Sequence, residues 1–119
     1  MMSELKISDL MKRQHELYMK HKDHWGLREP AFGKDSILWM VDELGEVIAI
    51  IKKKGADAIM EDEHVRAHYL EECSDVLMYY LDMLECFGIS AEELTDAFDK
   101  KWKSNMGRSW AENEAMYED

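Results

Sequence analysis

A chain of 119 residues, 34% of them charged and 46% hydrophobic, is long enough for one domain with one core and too apolar to be disordered. With 26 acids against 15 lysines and arginines the formal net charge is −11, which disfavours nucleic acid and anionic membranes and makes a cation necessary for any phosphorylated ligand. The longest apolar runs fall far short of a membrane span, and the opening MMSELKISDL lacks the apolar core of a signal peptide, so a reducing cytoplasm is the expected setting.

One proline, six glycines and few β-branched residues beside Leu, Met, Glu and Lys favour long helices. The first is expected from Ser8, as N-cap, to about His24, with Gly26 as its stop. Its apolar stripe runs through Ile7, Leu10, Met11, Leu17, Tyr18 and Trp25, with Gln14 and His21 in the middle of it. After the loop GLREPAFGKD a second helix spans about Ser36 to Lys54 and ends in KKKG, basic residues and then glycine, as the helix dipole prefers. The linker ADAIMEDE is expected to be partly helical. A third helix covers about His64 to Phe87, closed by Gly88. On it Cys73 and Cys86 lie about 20 Å apart, too far for a disulfide within the chain. The fourth opens at Ser90, where SAEE reads as a capping box with Glu93, and continues to about Met106. An acidic tail, about 109–119, completes the chain. The sum is a single all-α domain over 1–119, a four-helix, bundle-like arrangement with short loops.

Within these helices the acids are the informative feature. On helix two, Ile37, Met40, Val41, Leu44, Val47, Ile48 and Ile51 form one broad apolar face, expected to be buried. Glu43 and Glu46 lie opposite, bracketed by Trp39 and Ile50, so their side of the helix meets another helix or lines a pocket. On helix three an apolar arc takes Val65, Tyr69, Leu70, Val76, Leu77, Tyr80, Leu81 and Leu84, and His68, Glu72, Asp75 and Tyr79 follow one margin. The same i,i+3 spacing recurs in Asp82/Glu85, Glu93/Asp96 and Asp96/Asp99, so a solvated face is the plain alternative for any one pair. Two such pairs on packed helices bring four carboxylates together, which requires a neutralising cation; hard oxygen donors select Mg²⁺ or Mn²⁺. Helix four has an inward stripe of Ala91, Leu94, Phe98 and Trp102 with Asn105 in it and Lys101 and Arg108 on its edge. These three suit phosphate oxygens; snorkelling stems or bonds to a neighbour's acids are the alternative.

Glu43-x-x-Glu46, then 25 residues, then Glu72-x-x-Asp75, followed by Lys101-x3-Asn105-x2-Arg108, resembles the ExxE…ExxD and Lys…Asn…Arg pattern of the MazG-like, all-α nucleoside triphosphate pyrophosphohydrolases, the superfamily of the dimeric dUTPases and dCTP pyrophosphatases. The resemblance extends from about Leu10 to Arg108. It implies Mg²⁺-dependent hydrolysis of an NTP or dNTP to the monophosphate and pyrophosphate, in nucleotide-pool cleaning or balance, with Mn²⁺ as a substitute ion. It also implies Glu43, Glu46, Glu72 and Asp75 as catalytic metal ligands and Lys101, Asn105 and Arg108 as the triphosphate grip. The fold would be completed as a homodimer or homotetramer. Because the family uses its first helix near the base, Gln14, His21 and Trp25 are candidate base contacts, with Trp39 one turn before Glu43 and Tyr79 beside them; packing is the alternative for each.

Two rivals remain from the residues. A di-iron bundle needs two Glu-x-x-His pairs, and the chain has one, Glu61-x-x-His64, in the linker; the His64/His68 spacing suggests zinc without placing a third ligand. A non-catalytic nucleotide-binding or regulatory helical protein is the other.

Overall fold

The computed structural model describes residues 3–108. Among these residues there are five α-helices and no strand: α1 (Ile7–His21), α2 (Gly33–Lys54), α3 (Ala56–Glu61), α4 (Glu63–Cys86) and α5 (Ala91–Met106), with a 3₁₀ turn at Pro30–Phe32 ahead of α2. The all-α expectation holds, and the acidic linker supplies the additional helix, α3. The expected acidic tail lies outside the described residues.

Local chemistry sets the boundaries. The N-cap of α1 is Lys6 and not Ser8: the Lys6 amide donates to Asp9 Oδ2 at 2.9 Å, the bond by which an N3 carboxylate closes back on the cap residue. At the other end the amides of His24 and Trp25 both turn back to the His21 carbonyl, so α1 stops three residues before the expected end. Pro30, pre-set for a first helical turn, begins the 3₁₀ turn that runs into α2 and moves its start ahead of Ser36. Gly33 at that start leaves room for Phe87, since a Cβ there would lie 2.3 Å from the ring. Asp62 accepts from the amides of His64 and Val65 at 2.9 and 3.2 Å and starts α4. The Ser90–Glu93 capping box forms as expected at α5.

Gly55 separates α2 from α3 with φ +85° and ψ 158°, a region essentially reserved for glycine. Gly55→Ala is therefore expected to cost about 1–3 kcal/mol in urea unfolding, without loss of helix content in the folded state.

The chain divides into two compact units, Met1–Ile89 and Ser90–Asp119. In the first, α4 packs along α2, α1 lies against α4, and α3 packs on both α2 and α4. Tyr18, Ile50, Ile59, Leu81, Leu84 and Cys86 are its buried apolar residues. The face of α2 expected to be buried is instead largely outward. Val41, Leu44, Ile48 and Ile51 are exposed together with Leu38, and on α4 Leu70 and Leu77 are exposed as well. The reason is that α2 is apolar on two sides. Ile50, on the side of the glutamates, is the apolar residue of α2 that is buried, while the broader stripe is left largely exposed by the described residues of the first unit. In the second unit, α5 carries the ion pairs Lys100–Asp96 and Lys103–Asp99 at 2.9 and 2.8 Å, which accounts for its acids as ordinary surface; Phe98, Trp102 and Met106 are exposed.

Candidate active site

The two central helices of the first unit make a groove whose chemistry follows from their stripes. Along α2, Trp39, Glu43, Glu46, Ile50 and Lys53 succeed one another at steps of three or four, so they share one side. Along α4, Asp82, Tyr79, Asp75, Glu72 and His68 do the same in descending order. Trp39 and Glu43 line one hollow with Asp75, Tyr79 and Asp82, whereas Glu46, Ile50 and Lys53 line another with His64, Val65 and His68. The helices therefore run antiparallel, and each step along one meets its counterpart on the other.

At the middle of the groove, carboxylate oxygens of Glu43, Glu72 and Asp75 lie within 4.8 Å of one another. All three are half-buried. Burial raises the Glu43 carboxyl above its usual range, with a hydrogen bond to Glu72 and the negative charges of Asp75, Glu72 and Glu46 adding to the rise. A set of three convergent hard oxygens, with Glu43 penalised by its neighbours, fits a divalent cation such as Mg²⁺ or Mn²⁺ and suits no soft ion. Glu46 stands apart: it is exposed, one turn beyond Glu43, and faces the smaller hollow of about 320 Å³ with Lys53, Lys54, His64 and His68. His68 reaches Glu72 at 3.4 Å, so the expected margin of helix three exists as a continuous polar edge.

The larger hollow, about 860 Å³, extends from Glu43 and Asp75 away from Glu46. Trp25, Phe32, Trp39 and Tyr79 give it flat apolar walls, and Gln14 reaches it from α1. Trp39 is exposed in it, which leaves its ring available for stacking, whereas Arg28 already lies over the Trp25 ring at 5.9 Å. His21 is placed differently: its ring stacks on Trp25 with centroids 5.1 Å apart, so it supports that wall from behind. Burial, followed by the charges of Glu43, Asp82 and Asp75, pushes the Tyr79 phenol up, with Arg28 opposing, and its hydroxyl stays protonated at neutral pH.

Two residues in this hollow escaped the reading of the sequence. Asp82, one of several acids at i,i+3 spacing, is 4% exposed and bonded on both oxygens: Gln14 Nε2 donates to Oδ1 at 2.9 Å, and Arg28 Nη2 lies 3.2 Å from Oδ2. Arg28 comes from the loop before the 3₁₀ turn, stacks over Tyr18 at 4.5 Å, and donates from Nη1 to the Gly26 carbonyl at 3.0 Å. Continuing the stripe His68–Glu72–Asp75–Tyr79 by three more residues reaches Asp82, so the signal for it was present. No periodicity marks Arg28, because loops carry none. Burial raises the Asp82 carboxyl, and Gln14 and Arg28 work against that rise.

Lys101 and Asn105 lie on α5 and Arg108 just past its end, where its amide bonds to the Asn105 carbonyl at 3.3 Å. Asn105 is half-buried, and Lys101 and Arg108 are exposed. These three belong to the second unit, whereas the three carboxylates and the two hollows belong to the first.

Searches of curated proteins and of solved structures find no match to this chain. The family model described as dATP/dGTP pyrophosphohydrolase matches residues 37–119, a span that contains Glu43, Glu46, Glu72, Asp75, Lys101, Asn105 and Arg108. It is a family of hydrolases acting on acid anhydrides. A match over well more than half its length establishes that this chain belongs to the dATP/dGTP pyrophosphohydrolase family.

Proposed function

We propose that the protein hydrolyses a purine deoxynucleoside triphosphate to the monophosphate and pyrophosphate, using Mg²⁺, or Mn²⁺ in its place, held by Glu43, Glu72 and Asp75. The observation that carries this reading is the placement of three convergent carboxylates at the edge of an aromatic hollow, in a chain of this family. The hollow receives the base between flat walls, and the carboxylates sit where the phosphates emerge. The divalent ion, when bound, neutralises the acids and withdraws charge from the phosphate oxygens. Water then attacks the α-phosphorus. Its bond to the oxygen bridging the α- and β-phosphates breaks, and pyrophosphate leaves with that oxygen. Glu46, close to the three carboxylates and not among them, is assigned to orient the water and take its proton. Tyr79, kept protonated, offers its hydroxyl to the sugar or the α-phosphate. Lys101, Asn105 and Arg108 are assigned to the β- and γ-phosphates, on the strength of their residue types and their order after the acids.

The exposed apolar stripe of α2 supports a homo-oligomer, dimer or tetramer, in which a second copy covers it. No helix among the described residues is long and apolar enough to cross a membrane. With two free cysteines, that supports a cytoplasmic role in cleaning or balancing a nucleotide pool.

The deciding experiment is a product assay over a panel of dNTPs and NTPs with Mg²⁺ and again with EDTA. Metal-dependent release of monophosphate and pyrophosphate from the purine members is expected; silence across the panel, with nucleotide still bound, would leave a binding protein. Arg108→Ala is expected to raise KM for the triphosphate roughly tenfold with a smaller effect on kcat, as loss of one charge-assisted contact implies. An unchanged KM would return Arg108 to the surface.

A further inference from the structure

The acid at the far end of the larger hollow has a geometry that the hydrolysis does not require. Asp82 is seven residues beyond Asp75 on α4, about 10 Å along the axis, with Tyr79 between them. That is the reach of a nucleoside monophosphate from its phosphate to the outer edge of its base. A nucleotide whose α-phosphate meets Asp75 and whose base stacks on Trp39 therefore brings its Watson–Crick edge to Asp82.

A buried carboxylate is costly unless its bonds fix it for a purpose or a partner offsets it. An ionised carboxylate offers about four acceptor sites. Gln14 Nε2 occupies one on Oδ1 at 2.9 Å, and Arg28 Nη2 one on Oδ2 at 3.2 Å. Each oxygen keeps a further site, and the two oxygens present adjacent acceptors. Arg28 is itself held elsewhere: stacked over Tyr18, bonded to the Gly26 carbonyl, and covered at Nε, which has no partner among the described residues. Asp35, which also lines the hollow, adds a second carboxylate.

We propose that Asp82, positioned by Gln14 and Arg28, reads the base edge and selects guanine over adenine. Guanine presents N1–H and the exocyclic N2–H side by side, two donors matched to two acceptor oxygens. Adenine offers one donor, N6–H, next to N1, whose lone pair would face a carboxylate. Hypoxanthine keeps N1–H and lacks the amino group, so it falls between them. The order rests on the nucleotide reading proposed above; the identity of the purine and of the residue that chooses it are new to it.

The test compares kcat/KM for dGTP, dITP and dATP with Mg²⁺ on the full chain, and titrates dGMP and dAMP, which have no anhydride to cleave, in the same Mg²⁺ buffer by tryptophan fluorescence. Expected is dGTP above dITP above dATP, with each lost bond to the carboxylate worth about tenfold or more. Binding of dGMP should be stronger than that of dAMP in the same sense. Asp82→Asn, which replaces one acceptor oxygen by a donor, should shrink the dGTP-to-dATP ratio by about tenfold or more, with circular dichroism to verify the fold. Should that variant not fold, the dITP comparison decides on the wild-type protein. Equal rates for dGTP and dITP, or dATP matching dGTP, overturn the proposal while leaving the hydrolysis in place. Absence of hydrolysis from every nucleotide defeats the reaction instead, and the titration then decides: tighter dGMP sustains the role of Asp82, and equal affinities end it.

Discussion

Asp75→Asn is expected to lower metal-dependent turnover by at least about a thousandfold, equivalent to roughly 4 kcal/mol of lost transition-state stabilisation. The substitution keeps the shape and removes one of three charges converging within 4.8 Å, so the remaining pair no longer offsets the dehydration of a small divalent ion. Stability should move the other way. Because the Glu43 carboxyl is raised in the folded state, its ionisation opposes folding, and stability is lost as pH rises through the window between its ordinary and its raised value. Asp75 contributes to that rise, so in EDTA at pH 8 the variant should melt no lower than wild type. Mg²⁺ should raise the melting temperature of wild type and leave that of Asp75→Asn unchanged. Glu46→Gln provides the contrast: turnover should fall severely while the Mg²⁺-induced shift in melting temperature survives, since Glu46 lies outside the three-carboxylate cluster. A normal rate in Asp75→Asn would remove the proposed metal site.

Arg28→Met is the second large effect, and it concerns the fold. The Arg28 and Asp82 side chains are only 12% and 6% exposed, so removing the arginine leaves a largely buried carboxylate without its cationic partner. Breaking such a pair costs about 3–5 kcal/mol, a large part of the 5–15 kcal/mol that holds an ordinary domain together. The sign with pH follows from Asp82, whose carboxyl is already raised by burial and loses the guanidinium that opposes the rise. Its folded-state value climbs further in the variant. Stability relative to wild type should therefore worsen as pH rises above the ordinary aspartate range and recover as it falls, when the acid is neutralised. Urea unfolding at pH 5 and pH 8 checks both the size and the slope. A cost under about 1 kcal/mol at pH 8 would mean that water reaches Asp82 and that the pair is solvated.

Much of this was legible in the sequence because helical periodicity carries position. Trp39, Glu43 and Glu46 on one helix, and Glu72, Asp75 and Tyr79 on the other, are ordered by spacing alone, and the structure sets them along one groove with Glu46 turned to its second hollow. Which side of α2 would be covered was not legible. Both sides are apolar, and hydrophobicity says that a face must be covered without saying by what. Arg28 was invisible for a different reason: its role depends on a loop folding back on Tyr18, a contact that no local pattern encodes. Asp82 was hidden by abundance, one acid among 26.

The uncovered stripe of α2 has a bearing on how much of this protein is folded at a given abundance. Were a second copy to lie over Leu38, Val41 and Ile48, as proposed, folding and association would become one equilibrium, and protomer concentration would enter it by mass action. For a dimer, each tenfold dilution then withdraws about 1.4 kcal/mol per mole of assembly. Dilution acts as a denaturant for such a protein, and a catalyst that consumes nucleotides would stay idle until enough of it had accumulated.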